Sequence, residues 1–233
     1  MRRYLMVLLA LILLIGLLGF LLVKPDKVII TQGEAPPREI YVPIVDAGHG
    51  GEDGGTESRS GNWESRINLD IAVKTNLLLR FFGYHTVMTR EDDISLHDAG
   101  MGTIRDKKVS DLKNRVKKIN SVDNGALISI HQNYFEQSRY HGAQTFYHGS
   151  ANGAFAAAMQ NALRRTLDPA NERGCKPTNT VYVLNRIQKP AVLVECGFLS
   201  NPTEEALLLT AGYQRKVALA VCLGFMDWSR AKR

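Results

Sequence analysis

Short apolar runs alternate with amphipathic helical segments along most of the chain, and this alternation restricts the fold more than any other feature. Predicted strands fall at residues 40–45, 86–88, 126–130, 144–147, 181–184 and 192–194. Predicted helices lie between and after them. Residues 64–82 place Ile67, Ile71, Leu78 and Phe82 on one face, and Gly83 closes the segment. Residues 111–120 show helical spacing through Leu112, Val116 and Ile119, and an alanine-rich helix at 154–167 stops before Pro169. Helices at 204–209 and 213–228 complete the pattern. Strands joined through helices of this length need crossover connections, so the predicted class is α/β: a three-layer α/β/α sandwich around a mainly parallel, twisted sheet. The chain has 233 residues and is 45% hydrophobic, enough for one well-buried core and an appendage.

The appendage is N-terminal. Residues 4–23 form an apolar run without a charge, long enough at about 1.5 Å per residue to span a hydrocarbon core of about 30 Å. Arg2 and Arg3 precede it, which orients the N-terminus toward the cytoplasm and the remainder outside. A cleaved signal peptide is the rival reading, but no small-residue cleavage pattern follows the run. The expected organisation is therefore a membrane anchor at 1–23, a proline- and glycine-containing tether at 24–39 and one catalytic domain at 40–233. The expected address is membrane-anchored and extracytoplasmic, with secretion after cleavage as the alternative. The net charge of +6 suits an anionic wall or membrane as well as nucleic acid. No basic stripe interleaved with aromatics and no zinc-finger spacing is present, so no nucleic-acid partner is expected. Cys175, Cys196 and Cys222 form no CxxC pair, which argues against a thiolate metal site or a disulfide framework.

In open α/β sheets, binding sites gather at the carboxyl ends of strands, and the unusual residues of this chain fall there. His49 follows the first strand inside Asp46-Ala-Gly-His-Gly-Gly-Glu-Asp-Gly-Gly55. His131 follows the strand at 126–130, Glu195 follows Val192-Leu193-Val194, and Glu64 opens the first helix. Taken singly, each histidine reads as a hydrogen-bonded loop residue, and Glu64 as a favourable charge at a helix N-terminus. Glu195 resists such a reading: a carboxylate in an apolar run is costly unless it is paired or binds metal. The glycine-rich stretch lacks both G-x-x-x-x-G-K-[ST] and G-x-G-x-x-G, and it carries Glu52 and Asp53, which disfavour phosphate. A histidine among glycines fits a metal site better.

Four motifs in order carry a family likeness. They are Asp46-Ala-Gly-His49-Gly-Gly-Glu-Asp53, Glu64 at the start of its helix, Ser129-Ile-His131-Gln-Asn133, and Val194-Glu195-Cys-Gly-Phe-Leu-Ser-Asn201. Leu112-x-x-Arg115-x-x-x-x-Asn120 matches as well. Over residues 40–229 the chain resembles the zinc-dependent N-acetylmuramoyl-L-alanine amidases of the amidase-3 type, which have a phosphorylase/hydrolase-like fold. The resemblance implies one Zn2+ per domain on His49, Glu64 and His131, and a catalytic carboxylate at Glu195. It places Asn133 and Arg115 in a substrate-binding or supporting role. Asp46 stands open between orienting a ligand and a plain turn role. Ala47 occupies a position where many relatives have proline.

Within the family the chain looks most like the germination-specific spore-cortex amidases. That implies hydrolysis of the amide between the lactyl group of N-acetylmuramic acid and L-alanine of the stem peptide, a step toward muramic δ-lactam. It also implies peptidoglycan as partner and the forespore intermembrane space of a spore-forming bacterium as address. A regulatory protein partner is left open. The alternatives are a vegetative autolysin, another zinc carboxypeptidase-like peptidase, or a silent wall-binding protein. Some division-associated relatives carry a covering helix after the strand matching residues 142–148; here only residues 149–153 separate that strand from the next helix.

Overall fold

The computed structural model describes residues 41–232; the expected anchor at 1–23 and tether at 24–39 lie outside the described residues. Six strands form one sheet. They are β1 (Val42–Ala47), β2 (Val87–Met88), β3 (Gly125–Asn133), β4 (Gln144–Tyr147), β5 (Lys176–Pro177) and β6 (Ala191–Phe198). Among the described residues six α-helices accompany them, the last two after β6: α1 (Glu64–Phe81), α2 (Ile104–Asn120), α3 (Gly153–Leu167), α4 (Tyr182–Arg186), α5 (Pro202–Leu208) and α6 (Ala211–Arg230). The strand order is β2-β1-β3-β6-β4-β5. All neighbouring pairs are parallel except β4 with β6, so the expected mainly parallel sheet is present.

Alternation along the strands builds the three layers. Val45 and Ala47 of β1, Ile128 and Ile130 of β3, and Val192 and Val194 of β6 face a core that includes Ile67, Ile71 and Leu79 of α1, Phe155 and Met159 of α3, and Val221 and Phe225 of α6. Ile44, Leu127, Ala191 and Leu193 face the other way, against Ile119 of α2 and Val183 and Leu184 of α4. The second face is completed by polar groups rather than by more apolar ones: Asp46, Ser129 and Arg115 are all buried there.

Three expectations are corrected. Residues 181–184 are not a strand; Tyr182–Arg186 forms the short helix α4. Val183 and Leu184 pack on the second core face, and a brief apolar run of this kind cannot be separated from a buried helical turn by periodicity alone. The helix expected from residue 111 begins at Ile104, where the Thr103 hydroxyl accepts the Asp106 amide and donates to the Asp106 carboxylate. The buried face of α1 runs through Ile67, Ile71, Thr75 and Leu79, leaving Phe82 outside it. Gly83 does close α1, at φ 87°, a left-handed conformation that favours glycine. Cys196 and Cys222 are buried free thiols, as expected of small hydrophobes.

Candidate metal centre and active site

The carboxyl edge of the sheet brings together residues that are distant in sequence. β1 ends in a glycine-rich loop that carries His49, β3 carries His131 near its end, and Glu64 is the first residue of α1. Ligand atoms of His49, Glu64 and His131 all lie within 4.8 Å of one another. His49 Nε2 stands 3.4 Å from Glu64 Oε2, and His131 Nδ1 stands 3.0 Å from Glu64 Oε1. Two imidazole nitrogens and one carboxylate oxygen, converging without a lysine or arginine in the group, form a donor set suited to a divalent metal with an open coordination position. The backbone is shaped to let them meet: a Cβ at Gly48 would lie 2.3 Å from the His131 ring, and one at Gly55 would lie 2.7 Å from Glu64 Oε2. The three expected ligands are thus one cluster.

Each donor is held from behind. Glu64 Oε2 accepts the Thr56 amide at 3.0 Å, and Oε1 accepts the Gln132 amide and the Asn68 side chain, both at 3.1 Å. Burial raises the Glu64 carboxyl, but hydrogen bonding and charge from His131 and His49 prevail and hold it well below the usual carboxylate range. His49 Nδ1 pairs with Asp53 Oδ2 at 2.9 Å, the carboxylate–histidine arrangement that fixes ring orientation in metal sites. Burial works against a charge on His49, but Asp53 and Glu64 prevail and raise it to about 9.

His49 itself has φ 59°, a left-handed conformation that costs a non-glycine residue about 1–2 kcal/mol. Two buried guanidinium groups hold that turn in place. Arg90 donates to the carbonyls of Ala47 and Gly48, each at 2.9 Å, and to that of Ser65 at 2.8 Å. Arg115 donates to the carbonyls of Ala47 at 2.8 Å and His49 at 2.5 Å. Arg115 is 2% exposed and held by Asp46 and Asp111, each at 2.6 Å. Asp46 also accepts Ser129 and Thr89 hydroxyls. Burial alone would raise the Asp46 carboxyl; Arg115 and the two hydroxyls bring it down to about 2. Asp46 therefore acts through Arg115 on the backbone of the His49 turn.

Glu195 and His131 are paired positions of β6 and β3, so the carboxylate projects beside the cluster. Its Oε2 is buried and meets no hydrogen-bond partner among the described residues. Burial pushes the Glu195 carboxyl up to about 7. Asn133 sits just past a register irregularity in β3, and its side chain makes no hydrogen bond among the described residues. Arg90, Asp53, Asn68 and Thr56 were given no role by the sequence reading, although Asp53 lies four residues after His49 and Asn68 four after Glu64.

Comparison with known proteins agrees with this geometry. Residues 44–226 match the family model described as N-acetylmuramoyl-L-alanine amidase. The chain belongs to that family. Among the relatives of this amidase is the germination-specific N-acetylmuramoyl-L-alanine amidase of Bacillus subtilis, 36% identical over 190 residues, covering 81% of this chain and 79% of the relative. The CwlD amidase from Clostridioides difficile, solved in complex with the GerS lipoprotein, is similar at TM-score 0.80 and 39% identity, covering 82% of this chain and 99% of that one. A second N-acetylmuramoyl-L-alanine amidase, from Clostridium difficile 630, has TM-score 0.73 and 27% identity, over 84% and 100% of the two chains.

Proposed function

We infer that this amidase hydrolyses the amide between the lactyl group of N-acetylmuramic acid and L-alanine of the stem peptide, in the peptidoglycan of the spore cortex. The observation that carries the reading is a buried, unpartnered Glu195 oxygen beside a His49–Glu64–His131 donor cluster in a chain of this family. The setting in the spore is supported by likeness to the germination-specific amidase of Bacillus subtilis. The apolar run at 4–23 supports a membrane-anchored, extracytoplasmic protein of the sporulating cell. A regulatory protein partner is supported by the complex of the similar CwlD amidase with a lipoprotein.

His49, Glu64 and His131 would hold one zinc ion, which when bound supplies Lewis acidity toward the carbonyl and toward water. Glu195 takes the proton of the attacking water and returns it to the departing L-alanine nitrogen. An amine leaves only once protonated, and a carboxyl held near 7 is suited to both halves of that transfer. Asp53 keeps the His49 ring oriented while Arg90 and Arg115 keep its backbone turn.

The test is mass spectrometry of isolated cortex peptidoglycan after incubation with the purified full chain, with and without chelator. Expected products are stem peptides with a free L-alanine amine and glycan strands with unsubstituted muramic acid, lost with chelator. Cleavage elsewhere in the stem peptide would indicate a carboxypeptidase-like enzyme instead.

A further inference from the structure

The end of the domain opposite the metal centre carries an apolar strip that the amidase reaction does not use. Leu77, Phe81 and Phe82 at the end of α1 are 59%, 82% and 41% exposed. The two phenylalanine rings meet edge-on at 5.6 Å. The strip continues onto α6 through a shallow groove of about 370 Å³ lined by Lys74, Leu77, Leu78, Arg215 and Leu219. Lys74, Leu77, Leu78 and Phe81 follow one face of α1, whose core-facing positions are taken by Ile67, Ile71, Thr75 and Leu79. Basic residues rim the strip: Lys74, Arg80 and Arg215, with Asp70 beside Lys74 as the nearby acidic group. Neighbouring exposed phenylalanines ringed by long cationic side chains suit the headgroup level of an anionic bilayer, where apolar surface leaves water and the cations reach phosphates.

The position of the strip selects a membrane over other occupants. Tyr41, the first described residue, stacks on Trp228 near the end of α6 at 4.6 Å. Tyr84, just past the strip, packs on Phe225 of the same helix at 5.3 Å. Seventeen residues, 24–40, separate Tyr41 from the apolar run at 4–23. Glu64 opens α1 and Phe81 closes it, about 25 Å apart at 1.5 Å per residue. Docking through Phe81 would therefore hold the cleft outward, toward the glycan.

We propose that Leu77, Phe81, Phe82 and Leu219, with Lys74, Arg80 and Arg215, form a second membrane contact that seats the domain on an anionic bilayer with its cleft facing away. The proposal rests on the anchoring inferred above. Its test uses the full chain in vesicles of phosphatidylglycerol and phosphatidylethanolamine, with a nitroxide attached through Phe82→Cys in a Cys175→Ser background. A second label through Arg66→Cys, near the metal centre, reports the opposite end. The expected result is a label at 82 that is more accessible to oxygen than to a polar nickel complex, while the label at 66 shows the reverse. Adding Phe81→Ser, or replacing phosphatidylglycerol with phosphatidylcholine, should remove most of that protection. A chain that does not float with the vesicles overturns the anchor and the contact together. A chain that floats while its label at 82 stays as water-accessible as the label at 66 overturns the contact alone. Dipolar broadening between labels at 82 would assign the strip to a second copy of the chain and overturn the proposal.

Discussion

Glu195 stands opposite His131 in the parallel ladder of β6 and β3, one strand position from a metal donor yet without a hydrogen-bond partner on its buried oxygen. Ladder pairing thus sets Glu195 beside the His49–Glu64–His131 cluster. Glu195→Gln should keep fold and metal while lowering turnover on peptidoglycan by roughly 10²–10⁴, the usual range for general acid–base groups. Near-normal turnover of metal-replete Glu195→Gln would refute its role.

Arg90 joins the His49 loop to α1 by donating to the carbonyls of Gly48 and Ser65. Arg90→Lys cannot reach all of its acceptors, so metal affinity should fall by roughly 10–100-fold, the range for residues that support ligands from behind. Competition with a calibrated chelator measures this. Equal loss of thermal stability with and without metal, at unchanged affinity, would mean that Arg90 only supports the fold.

Gly48→Ala tests the approach of β1 to the metal centre. The added Cβ would lie 2.3 Å from the His131 ring, so either the ring or the strand must shift. Bound zinc per protein, measured by mass spectrometry, should drop sharply, while a Gly174→Ala control, where a Cβ meets nothing within 4 Å, should leave it unchanged.

Acid stability should depend on Asp46. Its carboxyl is lowered to about 2 in the fold, below the ordinary value near 3.8, so its ionised form stabilises the native state above that ordinary value. This contribution disappears as pH falls through about 2. Asp46→Asn leaves Arg115 short of one buried partner and should cost about 3–5 kcal/mol at neutral pH. The mutant should also lose part of the steepness of acid unfolding. Denaturant melts across pH 2–7 check both effects, and an unchanged pH profile would contradict them.

The cleft should need no unplugging. β4 connects to α3 through only His148, Gly149 and a three-residue turn at Ser150–Asn152, too short for a covering helix. The zinc-loaded chain alone should release peptides from isolated peptidoglycan. Inactivity of a folded, metal-replete sample, relieved by a protein that opens a blocked cleft, would overturn this expectation.

Much of this site was legible in the sequence because its donors are chemically conspicuous residues at the ends of apolar runs. His131 and Glu195 interrupt hydrophobic stretches, and only the strand limits were drawn too short, because β3 and β6 continue through those polar positions. The first half of α2 was missed because residues 104–110 are mostly polar, and the Thr103 cap was its main signal. The role of Arg90 could not be read from its sequence position. Its partners are carbonyl oxygens, which every residue has, so only the folded backbone reveals its role.

The strand order has a further meaning for how the enzyme comes into being. β6 is the last strand in the chain but lies in the middle of the sheet, between β3 and β4. Until it inserts, β2-β1-β3 and β4-β5 share no ladder, and ordering them requires closure over long stretches of sequence, which is slow. Glu195 arrives on that closing strand. Glu195 therefore reaches the His49–Glu64–His131 cluster only when β6 pairs with β3. Under the function inferred above, cleavage of the wall waits until β6 is seated between β3 and β4.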